Sequence, residues 1–354
     1  MSSQFGQMFQ LSTFGESHGT GLGVIIDGVP AGIDLDIDSI QEDLDKRRPG
    51  TSKWVSQRKE TDQVQILSGV ANGKTLGSPI ALMVINQDAR SKDYSSIAHL
   101  FRPGHADYTY FKKYGLKLQP GGGRSSGRET LARVAAGAVA KALLKSFHIK
   151  IQAYTLSIGN ICAEFIDPDF AQTHPLRCAD PDIADNMLAL VDQMRSEGNS
   201  IGGVIQIVAK NVPAGWGEPV FHKLDAMLAQ GLISIGAVKG IEFGSGFNAA
   251  RMTGSEHNDS LTPQGYQSNN AGGILGGISN GDDIVMQLAI KPTPSISLSQ
   301  ATIDNNGNPE TIIIKGRHDP CICSRICPVA EAMTAIVLAD AFLLNQRQVL
   351  GEKS

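Results

Sequence analysis

The chain has 354 residues, 41% of them hydrophobic and 19% charged, with a net charge of −4. That is ample apolar material for a large core, and the length fits one large domain or two smaller ones. The mild negative charge and an aromatic content of only 6% give no reason to expect nucleic acid, a membrane surface or stacked sugars as partners.

Residues 1–10 lack a cationic start followed by an apolar core, so we expect no export signal and a cytoplasmic location. No linker or shift in composition divides the chain, and we expect a single domain over 1–354. Alternating or β-branched runs predict strands over 22–27, 80–85, 149–158, 203–209, 283–290 and 311–314. Helical spacing predicts helices over 126–147, 182–197 and 328–346, the last opening at Pro328, with weaker helical stretches at 37–47 and 220–230. The longest apolar run, 335–344, carries Asp340 and falls short of the ~18 residues that cross a bilayer. Strands and helices alternate without a βαβ rhythm, which predicts an α+β fold, a sandwich of helices and antiparallel β-sheets. An internal echo adds to this: residues 23–32 and 203–215 are each a β-branched run closed by Val-Pro-Ala-Gly and followed by a helix-like stretch, as two related halves would be.

The 39 glycines cluster, and glycine marks places where backbone turns with positive φ or approaches a ligand. Gly121-Gly122-Gly123-Arg124-Ser125-Ser126 runs into a helix, whose free N–H groups and two nearby arginines, Arg124 and Arg128, suit an anion. A plain serine-capped helix is the alternative. Two histidines sit in glycine turns, Phe14-Gly15-Glu16-Ser17-His18-Gly19 and Arg102-Pro103-Gly104-His105-Ala106-Asp107, where histidine can move protons near neutral pH. Residues 69–75 miss the phosphate-loop spacing by one residue and read as a simple turn, and no dinucleotide fingerprint is present. Five cysteines without an export signal predict reduced thiols, and the spacing of Cys321, Cys323 and Cys327 is not a zinc spacing, so no metal is expected. These residues describe an enzyme acting on a phosphorylated or carboxylated anion; they do not name its reaction.

Residues 14–19, 47–52, 102–115, 121–130, 268–281, 291–296 and 317–333, in this order, resemble the chorismate synthases. The resemblance implies a 1,4-anti elimination of phosphate from 5-enolpyruvylshikimate 3-phosphate, with reduced FMN required but not consumed and NADPH as its indirect electron source. It places His18 as the acid for the departing phosphate, His105 near flavin N1, and an aspartate near N5, matched to Asp340 with Asp319 as the other choice. Flavin contacts map to Arg124, Ser125, Ser126, Gly236, Ala237, Gly277, Lys291, Pro292, Thr293, Pro294, Ser295 and Arg317. Arg47, Lys53, Arg102 and Arg325 map to substrate or NADPH, with lysine at 53 where arginine is commoner. The family is usually a homotetramer, and the absence of an extra reductase segment implies an external flavin reductase. At 322–327 this chain departs from the family, with Cys323 and Cys327 where small apolar residues are usual. A flavin or NAD(P)H oxidoreductase and a non-catalytic anion-binding protein remain as rivals, separable by phosphate release without NADPH consumption.

Overall fold

The structure is a computed structural model that describes residues 3–48, 61–86, 99–116, 120–314 and 318–346. Its frame is two five-stranded antiparallel sheets. The first runs across Gln4–Phe5, Gln10–Gly15, Gly21–Asp27, Ile80–Ile85 and Val64–Ser68; the second across Ile161–Cys162, Lys150–Ile158, Gly203–Lys210, Ile284–Ile290 and Val238–Phe243. Eight helices accompany them among the described residues: α1 Ile37–Arg47, α2 Asp107–Tyr114, α3 Thr130–Leu144, α4 Pro168–Thr173, α5 Ala184–Ser196, α6 Leu224–Ile233, α7 Gly254–His257 and α8 Cys323–Asn345.

The alternation of the central strand explains its place. In Gly21–Asp27, Leu22, Val24 and Ile26 are buried while Ile25 is exposed, so one face of the first sheet is apolar. That face meets α3, which packs in turn on α8, and α8 covers Lys150–Ile158 and Gly203–Lys210 of the second sheet. The two helices come close because their contact faces are small: a Cβ on Gly137 would sit 2.4 Å from the Ala332 Cβ. A single hydrophobic cluster runs through both sheets and the helices between them.

The internal echo is real in three dimensions. From each sheet's central strand the chain passes to a helix, then to the edge strand, then back beside the centre: Gly21–Asp27, α1, Val64–Ser68, Ile80–Ile85 in one half, and Gly203–Lys210, α6, Val238–Phe243, Ile284–Ile290 in the other. Both Val-Pro-Ala-Gly segments close on a glycine with positive φ, Gly32 at 89° and Gly215 at 100°. Each half then adds one of the two central helices, α3 or α8.

Two expectations change and one is met. α8 begins at Cys323, and Pro328 lies inside it, where its missing N–H costs one hydrogen bond in the second turn. By length and composition α8 could cross a bilayer, yet most of it is buried between the sheets, which makes it a core helix. The helical stretch at 220–230 moves to α6, leaving Val220 and Phe221 exposed in the loop before it. The near-miss phosphate loop is a tight hairpin, Val70–Ala71 with Lys74–Thr75, turning on Asn72 and Gly73 at positive φ.

Candidate active site

Three turns converge at one side of α3. The turn carrying His18 joins two strands of the first sheet and is held open by Asn86, whose Nδ2 donates to Glu16 O at 3.1 Å and to Gly19 O at 2.7 Å. His18 Nδ1 lies 3.0 Å from Ser17 Oγ. The second turn, Gly121 to Gly123, has φ of 72°, 89° and 52°, open only to glycine at little cost. A Cβ on Gly121 would sit 2.0 Å from His18 Cε1, and one on Gly122 would sit 3.1 Å from His105 Cε1. The triple glycine is therefore a slot of bare backbone with a histidine ring against each of two consecutive residues. Ser126 caps the short turn Gly127–Glu129 that leads into α3, its Oγ accepting from the Arg128 N–H at 3.3 Å, as the serine-cap reading expects.

The third turn sets His105. Its Nδ1 lies 2.6 Å from Asp107 Oδ1, and Arg102 donates to the same carboxylate through Nε at 2.7 Å and Nη2 at 2.8 Å. Burial pushes the Asp107 carboxyl up, but hydrogen bonds from Arg102 and His105 hold it far below the usual carboxylate range. Asp107 thus stays ionised and holds the imidazole at Nδ1, with Nε2 on the Gly122 side of the ring.

Behind these turns lies a buried cluster of cations. Asp62 accepts from Arg47 Nη2 at 2.5 Å and from Arg128 Nη1 at 2.8 Å, and Arg128 Nε donates to Asn86 Oδ1 at 2.7 Å. Arg325 Nε reaches Arg47 O at 3.4 Å while its Nη1 pairs with Asp319 at 2.6 Å. Burial lowers Arg47 to about 10, with Arg325 and Arg128 lowering it further and Asp62 opposing, so it remains a cation at neutral pH. Arg47 and Arg128, both buried, thus share the one carboxylate of Asp62, with the part-buried Arg325 beside them, a concentration of guanidiniums suited to an anion.

Lys291 Nζ donates to Gly104 O at 2.7 Å, which lays the 291–295 segment on the His105 turn. Pro294 completes that contact, 3.3 Å from where a Gly104 Cβ would be. Burial, reinforced by Lys239, lowers the Lys291 ammonium below its ordinary range. Thr293 Oγ1 donates to Asp319 O, and Lys291 N–H to Ala237 O, so Asp319, Gly236 and Ala237 join the same neighbourhood. Arg124 points at the first sheet, donating to Thr13 Oγ1 at 2.6 Å.

Two assigned residues do not join the cluster. Asp340 lies fifteen residues beyond Arg325 on α8, about 22 Å away at the helical rise. Its carboxylate is taken up by the backbone N–H groups of Gln7, Met8 and Phe9 at 2.6–3.1 Å. The geometry brings Asp319, rather than Asp340, to the arginines. Gly277 sits at the start of α6, accepting from the Leu224 N–H. Lys53 and Arg317 lie outside the described residues. Asp62, Asn86 and the role of Asp107 were not foreseen; Asp107 stood in a quoted motif, but nothing in the sequence around Asp62 or Asn86 sets them apart. Cys321, Cys323 and Cys327 are buried, and burial pushes the Cys327 thiol up to about 12, which makes it a packing residue at neutral pH.

A family model described as chorismate synthase matches residues 9–343. Chorismate synthase of Nitratidesulfovibrio vulgaris strain DP4 is 53% identical over 342 residues, covering 97% of each chain. That of Nitrosospira multiformis is 51% identical over 345 residues, 97% of this chain and 88% of the relative. A solved structure described as chorismate synthase superposes with a TM-score of 0.77 at 34% identity, over 96% of this chain and 93% of that one. Fold and sequence agree, and the chain belongs to the chorismate synthase family.

Proposed function

We propose that this chain is a chorismate synthase, a carbon–oxygen lyase of the shikimate pathway that converts 5-enolpyruvylshikimate 3-phosphate to chorismate and phosphate. The observation that carries the site reading is the pair of histidine rings, His18 and His105, on consecutive glycines beside two buried arginines that share one carboxylate. In the elimination the C3–O bond breaks, a C6 proton leaves and a second ring double bond forms. His18 protonates the departing phosphate, while Arg47, Arg128 and Arg325 stabilise its charge as it develops. Arg102 acts through His105 and Asp107, fixing the imidazole.

The turns fit a flavin phosphate and ring edge: glycine backbone that no Cβ could share, Lys291 with its lowered ammonium, and Arg124-Ser125-Ser126 at the approach to α3. Residues 291–295, Gly236 and Ala237 would hold reduced FMN near His105, with Arg317 and Gly277 assigned to it by resemblance. Reduced flavin, when bound, supplies electron density as the phosphate leaves. We assign the aspartate of that site to Asp319, which already pairs with Arg325. Arg47 is taken as a substrate contact, because its buried Nε has no hydrogen-bond partner among the described residues. An external reductase supplied by NADPH, a cytoplasmic location with reduced thiols, folding as one domain and assembly as a homotetramer complete the proposal. The continuous core supports the single domain, and the exposed Val220, Phe221 and Phe247 support assembly.

The test is anaerobic release of phosphate and chorismate with FMN reduced, oxidised or absent. Equimolar products with reduced FMN alone are expected, without NADPH consumption by the pure protein. NADPH oxidation with no elimination would make it an oxidoreductase instead.

A further inference from the structure

We infer that Asp62 and Asn86 are positioning residues that lock the arginine pair and the His18 turn into one unit, an inference that rests on the site reading above. The Asp62 side chain has no exposed surface, and each of its oxygens serves a different guanidinium. Two cations that would otherwise repel are thereby held side by side on one carboxylate, at a spacing set by the carboxylate itself. The backbone of Asp62 has a φ of 47°, in the left-handed region that costs a non-glycine residue energy. Only the surrounding contacts maintain it there, among them the Gln41 Nε2 that donates to Asp62 O at 3.2 Å.

From Arg128 the connection passes to Asn86. Its Oδ1 accepts from Arg128 Nε at 2.7 Å, and its Nδ2 donates to Glu16 O and Gly19 O, the carbonyls that bracket His18. An amide suits this post because it accepts on one side and donates on the other; a carboxylate could keep only the contact with arginine. An unbroken path of polar contacts therefore runs from Arg47 through Asp62, Arg128 and Asn86 to the histidine turn. Its consequence is a division of labour. Asp62 sets how well the site holds an anion, and Asn86 sets where His18 stands relative to that anion.

The two roles separate kinetically. For Asp62→Asn, KM and the directly measured substrate Kd should rise together by about 10- to 100-fold, and kcat should fall as well because the two arginines also meet the developing phosphate charge. For Asn86→Asp, kcat should fall about 10- to 100-fold with Kd nearly unchanged, and the pH profile of kcat should shift because the turn around His18 is released. Substrate binding is read on the full chain with oxidised FMN present, so that affinity is scored apart from turnover. If both variants lose only denaturation midpoint while kcat, KM and Kd stay put, the residues are merely structural and the inference fails. If Asp62→Asn does not fold, Asn86→Asp decides alone, and an unchanged kcat overturns the inference. Arg128→Gln marks the other failure: undiminished substrate affinity there would overturn the site reading itself, whatever the Asp62 variant does.

Discussion

The two halves share their wiring from central strand to edge strand and differ in what their buried charges do. In the second half each buried acid is answered by backbone N–H groups, with one arginine added at Glu331. Asp180 accepts from the N–H groups of Glu164, Phe165 and Asp182, Glu331 from Arg177 and the Ala153 N–H, and Asp340 from three successive N–H groups at 7–9. In the first half Arg47 and Arg128 share one carboxylate, Asp62, and Arg128 is joined through Asn86 to the His18 turn. Buried charge alone therefore does not mark a functional site; what sets the first half apart is that its buried cations are tied to a histidine-bearing glycine turn.

The sharpest way to break this comparison is to remove the histidines. His18→Ala and His105→Ala should each lower kcat by about 10²–10⁴-fold with the fold intact. Near-native phosphate release in both would empty the first half of its catalytic claim. The converse test lies in the second half. Asp340→Ala strands three backbone donors and should lower the unfolding free energy by about 3–5 kcal/mol, measured by urea denaturation. The folded fraction should keep its kcat within about 3-fold; a collapse of kcat at unchanged stability would restore Asp340 to the chemistry. The smallest effect concerns pH. Asp107 has a folded-state pKa below its ordinary 3.8, so its contribution to stability is complete above that value and is lost as pH falls below it. Asp107→Asn should therefore flatten the acid limb of the stability curve below about pH 4, and an unaltered limb would show that Asp107 is not held by Arg102 and His105 in solution.

What could be read in the sequence follows from how local each signal is. His18 and His105 stood out because glycines frame them within a few residues. The strand Ile80–Ile85 stood out because its apolar residues are contiguous. Val238–Phe243 did not, since Lys239, Gly240 and Glu242 interrupt the pattern of an edge strand exposed on one side. Helix α2 escaped notice because it is short, aromatic and largely exposed. Pro328 looked like a helix start because proline belongs there, and burial of the whole helix overrode that preference. The family resemblance matched Asp340 to the flavin site, but the partners of its carboxylate lie 331–333 residues earlier, a separation no local pattern reveals.

The position of α8 has a consequence for how the molecule is made. This helix fills the space between the sheets, and it occupies residues 323–345. Synthesis runs from the N-terminus, so α3 and the strands of the second sheet emerge before it, without the surface they pack on. The nascent chain therefore carries an open apolar groove until α8 has been made, and this core closes only with the arrival of that long, buried helix.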